Sequence, residues 1–218
     1  MLRDDAVFDA QSEDLSKYLS WDNTAVVLPP IGSPNLNPGK FGALTTDFKD
    51  PRDGNVYRTV KIGNQVWMAE NLNYSIDGSW CYDNDDANGK KYGRLYTWNA
   101  AKAACPAGWR LPTRQEWDKL VLTVGGSSIA GKKLKAADGW KEGGGNGADE
   151  YGFSARPGGY RGYGSSSFFG GGECGDWWTA TELNGSYVYC RDVYYNCDYV
   201  KEGYNHNSSG LSVRCVAN

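Results

Sequence analysis

Apolar and polar residues alternate in the first well-patterned part of the chain as they do in a β-hairpin. Residues 56–62 and 65–69 each resemble a half-buried strand, and Gly63-Asn64 between them suits a tight turn. Thr113 and Glu116 have capping-box spacing. Apolar residues recur at helical spacing in three segments, residues 97–104, 113–124 and 128–137. After Tyr151 the pattern is short strands and turns. The sequence therefore predicts an α+β protein with short helices, small antiparallel sheets and many loops.

Residues 1–50 differ from this globular part, residues 51–218. Ser12 suits the N-cap of a short helix through Trp21, and a connector rich in proline follows, with Pro29, Pro30, Pro34 and Pro38. Two interpretations stay open: a leader or linker without structure, or an arm that attaches the protein to a partner or to copies of itself.

Charge and composition exclude several functions. The net charge is −3 and no basic stripe exists, which argues against nucleic acid as a partner. No run approaches the ~20 apolar residues of a membrane span, so we expect no membrane insertion. The first residues include acids where an export signal needs an apolar run, which predicts no signal peptide in this chain. The six cysteines form no CxxC motif, and His206 is the single histidine, so we expect no zinc site, no cofactor and no enzymatic activity.

The segment from about residue 167 to 209 has the composition of a binding surface. Six tyrosines fall between Tyr187 and Tyr204, among Asn, Ser, Asp and Cys residues. Tyrosine provides large, stiff contacts, and small polar residues provide adaptable hydrogen bonds, as in antibody combining loops. We therefore predict that this segment binds a ligand, over buried framework residues Trp177, Trp178, Val193, Val213 and Cys215.

Several motifs in order resemble the Fibrobacter succinogenes major paralogous domain, over roughly residues 50–218. They are Asn71-Leu72-Asn73-Tyr74, Tyr92-Gly93-Arg94-Leu95-Tyr96-Thr97-Trp98, residues 105–113, residues 149–155 and the ending Ser212-Val213-Arg214-Cys215-Val216. The helix motif before Cys105 and the Arg110-Leu111-Pro112-Thr113 motif also resemble C-type-lectin-like domains of the formylglycine-generating-enzyme branch. This resemblance implies a C-type-lectin-like fold.

The carboxy-terminal segment, with Trp177-Trp178-Thr179-Ala180-Thr181-Glu182, resembles the variable region of proteins diversified by diversity-generating retroelements. Those elements randomise adenines, so that asparagine codons come to encode Tyr, Asp, His, Ser or Cys. The resemblance implies ligand contacts at twelve positions: Cys174, Asp176, Tyr187, Tyr189, Cys190, Asp192, Tyr194, Cys197, Tyr199, Tyr204, His206 and Ser208. If residues 192–195 form a strand, Val193 and Tyr195 face the core while Asp192 and Tyr194 face solvent.

The lectin-like resemblance also implies a disulfide between Cys105 and Cys215, which stays open against two buried thiols. A loop of about 110 residues closed in this way would gain roughly 4 to 5 kcal/mol. Cys81 resembles the first member of a second cysteine pair of many relatives, but its partner position is taken by Gly89.

The acidic turn with Asp83, Asp85 and Asn88 clusters oxygen atoms of the kind that calcium prefers. It lacks a distal bidentate glutamate, so a solvated turn is the favoured interpretation and no metal is predicted. The sugar-binding triplets Glu-Pro-Asn and Gln-Pro-Asp of the lectin-like family are absent from the sequence, which argues against calcium-dependent sugar binding.

These resemblances imply a hypervariable receptor-binding protein or adhesin whose partner is a protein or glycan on a target cell surface. The expected location is a phage tail tip or a bacterial cell surface, with the amino-terminal arm joining a tail or pilus partner or forming a homo-oligomer. Two alternatives stay open: a non-diversified adhesin or structural domain of the same family, and a formylglycine-enzyme-like oxidase.

Overall fold

The computed structural model describes residues 43–44 and 46–218, and all of them belong to one compact unit. The predicted helix from Ser12 to Trp21 and the proline-rich connector lie outside the described residues. No helix in the described part of the chain is long and apolar enough to cross a membrane.

Short helices and small, mostly antiparallel sheets make up the described residues, which confirms the α+β class. The helices are α1 (Asp86–Tyr92), α2 (Trp98–Ala104), α3 (Arg114–Thr123) and α4 (Ser127–Leu134). The strands are β1 (Ala43–Leu44), β2 (Phe48–Lys49), β3 (Val56–Tyr57), β4 (Thr59–Ile62), β5 (Gln65–Met68), β6 (Ser79–Cys81), β7 (Arg94–Tyr96), β8 (Trp109–Arg110), β9 (Tyr160–Arg161), β10 (Phe168–Phe169), β11 (Cys174–Asn184), β12 (Tyr187–Tyr194), β13 (Lys201–His206), β14 (Leu211–Ser212) and β15 (Val216–Ala217).

Two larger sheets organise these strands. One has the order β1-β4-β5-β15-β8, and the other has the order β13-β12-β11-β14-β7-β6. In the second sheet β12 lies between β11 and β13 and pairs with both in antiparallel register. The tyrosine-rich segment therefore forms a continuous three-stranded region at one edge of the six-stranded sheet.

The core consists of two apolar clusters that meet at β11. Trp177 packs into the cluster that contains Trp67 and Trp117, whereas Trp178 packs into the cluster that contains Tyr96 and Cys215. Neighbouring residues of a strand point to opposite faces, so one Trp-Trp pair supplies both clusters. All five residues predicted as buried framework are buried, which confirms that prediction.

Local sequence signals place most of the elements correctly. The capping box of Thr113 and Glu116 begins α3, and Thr97 caps α2. The predicted strand at residues 56–62 is divided at Arg58: its first part pairs with β2 and its second with β5. β1 and β2 also extend the folded unit to residues before the predicted boundary at residue 50.

Arg214 ties the carboxy-terminal strand to the centre of the molecule. Its fully buried guanidinium donates hydrogen bonds to Asn71 Oδ1 (2.7 Å), to the carbonyl oxygen of Phe153 and to that of Ser154 (3.2 Å). Burial lowers the pKa of Arg214 to about 9, so the group keeps its charge at pH 7. The next residue, Cys215, forms a disulfide with Cys105, as the lectin-like resemblance implies.

Cys81 faces the position that the sequence identified as its missing partner. A Cβ atom built on Gly89 would lie 3.6 Å from the Cβ of Cys81 and 2.5 Å from its sulfur. The first distance falls within the range found in disulfides, about 3.5–4.5 Å. Gly89 therefore leaves open a place that a second cysteine fits.

We predict that Gly89→Cys forms a disulfide with Cys81 under oxidising conditions. The closed loop of about eight residues should stabilise the protein by about 2.5 kcal/mol in the chain-entropy model. Intact mass before and after reduction, together with urea unfolding, measures both effects. The control is Gly89→Cys combined with Cys81→Ser. If the single variant keeps both thiols free after oxidation, the inferred pairing is wrong.

Candidate functional site

Four aromatic side chains from three parts of the chain form a continuous surface, here called the aromatic patch: Tyr163, Tyr187, Tyr204 and His206. Tyr163 stacks on His206 with ring centroids 3.6 Å apart, and Tyr187 meets the edges of Tyr204 and His206 at 5.8 and 5.6 Å. Tyr204 is 63% exposed and Tyr187 is 41% exposed. The patch is therefore a preformed apolar and polar surface that is open to solvent.

The strand register fixes the position of the patch. Tyr187 lies opposite His206, and Tyr189 lies opposite Tyr204 in the β12–β13 ladder. Cross-strand neighbours lie on one face of a sheet, so these side chains share a surface. The patch therefore rests on paired strands and does not need a loop to order on binding.

A charged network borders the patch. The Arg114 guanidinium lies 4.4 Å from the ring centre of Tyr189 and donates to Glu202 at 2.7 Å. Buried Arg191 forms ion pairs with Glu202 (2.6 Å) and Asp118. The cations hold the pKa of Glu202 below its usual range against the opposing effect of burial. The network joins α3 to β12 and β13 beneath Tyr189.

Three of the predicted contact residues are not on the surface. Cys174, Asp176 and Cys190 are buried, so the prediction that they face solvent is wrong. The alternation itself is confirmed: Val193 and Tyr195 pack with one core cluster, and Asp192 and Tyr194 lie on the opposite face. That opposite face also carries Trp178 and Cys190, which belong to the second core cluster, so much of it is buried as well.

Two glycines allow backbone to lie against the side chains of Cys174 and Asp192. Gly170 follows β10 and lies so close that a Cβ there would be 2.5 Å from the sulfur of Cys174. On the other side, a Cβ on Gly203 would lie 2.3 Å from Asp192 Oδ2. Backbone approaches this closely only where a side chain is missing. Gly170 lies in the turn just before β11, and Gly203 lies opposite Cys190 in the neighbouring strand β13.

Buried Asp176 and half-buried Asp192 form a pair, here called the buried carboxyl pair. They lie directly opposite each other in the β11–β12 ladder, and the thiols of Cys174 and Cys190 donate to them at 3.3 and 3.1 Å. Burial and the neighbouring carboxyl group raise the pKa of Asp176, and burial raises that of Asp192. Two close carboxyl groups out of water favour a shared proton over two charges.

The remaining predicted contacts lie at the surface or in the loop between β12 and β13. Tyr194 and Tyr199 are exposed, Cys197 is half-buried, and Ser208 is exposed beside His206. Buried Lys135 donates to the backbone carbonyl oxygens of Tyr195 (3.2 Å) and Cys197 (2.9 Å). A lysine of the framework therefore fixes the loop through its backbone and not through its side chains.

The acidic turn has a structural role. Asp85 caps α1 by accepting a hydrogen bond from the N–H of Ala87 (2.9 Å), and the Asn88 amide donates to the carbonyl oxygen of Tyr82 (3.0 Å). Asp83 has a left-handed backbone with φ of 54°. Across the described residues, no group of three or more His, Cys, Asp and Glu side chains is placed to hold a metal ion.

A family model, that of the Fibrobacter succinogenes major domain, matches residues 60–217. The chain belongs to this family. No curated protein and no solved structure matches the chain. The match contains the whole six-stranded sheet, and with it the aromatic patch and the buried carboxyl pair.

Motif residues that identified the Fibrobacter succinogenes major domain meet at its centre. Asn71 accepts from Arg214 and from the indole N–H of Trp177 (2.8 Å), and its own amide donates to the Tyr92 carbonyl oxygen (2.8 Å). One asparagine side chain thus joins three of these motifs to Trp177 of the carboxy-terminal segment. This junction supports β11, the strand that carries Asp176 of the buried carboxyl pair.

Sequence reasoning missed two aromatic residues of the site. Tyr163 belongs to the aromatic patch, and half-buried Tyr160 lies near the carboxyl pair, where burial and the charges of Cys174 and Asp176 raise its pKa. Both precede the segment at residues 167–209. The glycine-rich surroundings of Tyr163, Arg161-Gly162-Tyr163-Gly164-Ser165, were the available signal for an exposed loop.

We predict that Asp176→Asn stabilises the protein at neutral and alkaline pH. A raised folded-state pKa means that the native state binds more protons than the unfolded state. The contribution of Asp176 to the free energy of unfolding is therefore fully present below pH ~4, and it is lost as the pH rises through the folded-state pKa. Asparagine imitates the protonated acid and removes this loss. Urea unfolding at pH 4.5 and pH 8 should show a gain at pH 8 that shrinks at pH 4.5. The control is Asp198→Asn, an exposed acid of the neighbouring loop. A variant that is less stable than the parent at pH 8 would contradict the shared proton.

Proposed function

We propose that this protein is a ligand-binding protein with a C-type-lectin-like fold of the formylglycine-generating-enzyme branch, whose aromatic patch is diversified by a retroelement. The observation that carries the proposal is the exposed cluster of Tyr163, Tyr187, Tyr204 and His206 on paired strands. Tyrosine-rich, preformed surfaces bind macromolecules at low entropic cost. The partner is a protein or glycan on a target cell surface, met from a phage tail tip or a bacterial surface.

The exposure of four tyrosines in and near the aromatic patch supports diversification. Tyr187, Tyr194, Tyr199 and Tyr204 are between 38% and 63% exposed, so replacing any of them leaves the core intact. The backbone under them is held by Lys135, by Arg191 and by the strand ladders, none of which involves a tyrosine side chain. New side chains at these positions therefore change the surface without changing the fold.

The oxidase alternative finds less support. A formylglycine-type oxidation needs a positioned pair of reactive cysteines. Burial raises the pKa of the Cys190 thiol, which bonds to Asp192, while the Cys197 thiol donates to the Tyr194 carbonyl oxygen at 3.6 Å. A buried protonated thiol is a poor nucleophile. Binding therefore accounts for the residues better than catalysis does.

Population sequencing tests the diversification. We expect copies of the gene to vary at codons of exposed residues such as Tyr187, Tyr204 and His206, with changes confined to adenines. Codons for Trp177 and Val193 should stay constant, and a reverse transcriptase gene with a near-identical repeat should lie nearby. Variation spread evenly over exposed codons of the whole domain, without such a repeat, would leave only the non-diversified adhesin.

Cell binding tests the patch itself. Fluorescently labelled full-length protein should stain at least one strain in a panel of intact bacteria, and Tyr187→Ser with Tyr204→Ser should reduce staining more than tenfold, because hot-spot tyrosines each contribute about 2 kcal/mol. The matched control is Leu122→Ser, an exposed apolar residue on α3. Equal staining by the double variant and the parent protein, with unchanged melting temperatures, would exclude the aromatic patch as the binding site.

A further inference from the structure

A second concave site lies apart from the aromatic patch. A cleft of about 310 Å³ is bounded by residues 55–58 around β3, residues 70–73 after β5, the carboxy-terminal end of α1, and Arg156. None of its lining residues falls within residues 167–209. Its volume is at the lower end of small-molecule sites, about 300–1,000 Å³, which suits one sugar-sized group.

The cleft is basic although the chain is acidic overall. Arg58, Lys90, Lys91 and Arg156 line it with a single carboxylate, Glu70, against a net charge of −3 for the whole chain. Glu70 is neutralised by Arg58, which pairs with it through its side chain and donates its backbone N–H at 2.8 Å. The cleft therefore attracts anions.

Two of these cations form no ion pair with a described acidic residue. Arg156 binds Asp138, but Lys90 and Lys91 form no ion pair with any residue that the structure describes. Both lysines are exposed in the last turn of α1, and the ammonium group of Lys91 lies 4.7 Å from the ring centre of Tyr92. Two lysines that line one cleft without an acidic partner suit a carboxylate as their counter-ion.

Amide groups complete the lining. Half-buried Asn55 and Asn73 line the cleft together with the cations. The Asn55 amide donates one hydrogen bond to Asp53 (2.8 Å), and within the described residues the Asn73 side chain makes none. The Asn71 side chain already forms hydrogen bonds with Arg214, Trp177 and the carbonyl oxygen of Tyr92. An amide both donates and accepts, so Asn55 and Asn73 suit hydroxyl groups, which also do both.

We propose that this cleft binds an acidic sugar residue, with the sugar carboxylate against Lys90 and Lys91 and its hydroxyl groups against Asn55 and Asn73. The combination of charge, amides and size carries the assignment. An uncharged sugar leaves the lysines without a counter-ion, and a simple anion leaves the amides unused. This site does not depend on the diversified patch.

Titration calorimetry of the full chain with D-glucuronate at low ionic strength tests the proposal, with D-glucose as the analogue that lacks the carboxylate. We expect glucuronate to bind at least tenfold more tightly than glucose and to weaken as salt rises. Lys90→Gln with Lys91→Gln should weaken glucuronate at least tenfold. The matched control is Lys132→Gln with Lys133→Gln, an adjacent lysine pair in the last turn of α4.

Asn73→Ala separates the sugar from a bare anion. It should weaken glucuronate severalfold and leave inorganic phosphate unaffected. The proposal is overturned if glucuronate does not bind, or if the Lys90 and Lys91 variant binds it like the parent protein while both keep the same melting temperature. Phosphate that competes with glucuronate at equal affinity, with no effect of Asn73→Ala, would overturn the sugar assignment as well.

Discussion

The buried guanidinium of Arg214 sets the constraint on which the rest of the structure depends. A charge with no access to water must be surrounded by oxygen atoms, and here they come from Met68, Asn71, Phe153 and Ser154. Met68 ends β5 and Asn71 follows it, whereas Phe153 and Ser154 lie in the segment between α4 and β9. The guanidinium therefore ties the end of a strand of the five-stranded sheet to that segment. Removing it would take donors away from several carbonyl oxygens and would leave Asn71 Oδ1 with the Trp177 indole N–H as its remaining donor.

Buried cations also lie beneath the candidate binding surface. Lys135 and Arg191 are buried framework cations, and they act on backbone carbonyl oxygens and on acids outside the exposed tyrosines. A backbone held through its carbonyl groups keeps its path whatever side chains it carries. The shape of the β12–β13 region is thus separated from the identity of its exposed residues, which is the physical requirement of a surface that changes while its scaffold does not.

Local signals were sufficient for much of this structure, because caps, turns and strand alternation are short-range properties. The capping box of α3, the cap of α2 and the burial of Trp177 and Trp178 all follow from neighbouring residues. The predictions that were wrong or missing depend on contacts between residues distant in sequence. Alternation placed Asp192 on the face opposite Val193, but no local pattern shows that Trp178 and Cys190 pack that face into the second core cluster. Likewise, Tyr163 joins the aromatic patch only through the fold.

The buried carboxyl pair is informative because packing alone would not select it. Two acids opposite each other in a ladder, with thiols as their donors, cost stability compared with apolar residues of the same size. A domain refined only for stability would lose such a pair. Under our proposal, random replacement of asparagine codons produces Asp and Cys at these four positions, and the disulfide provides stability that offsets the cost. Our proposal therefore explains the pair: a variable position that is buried can carry a residue that selection for stability alone would not keep.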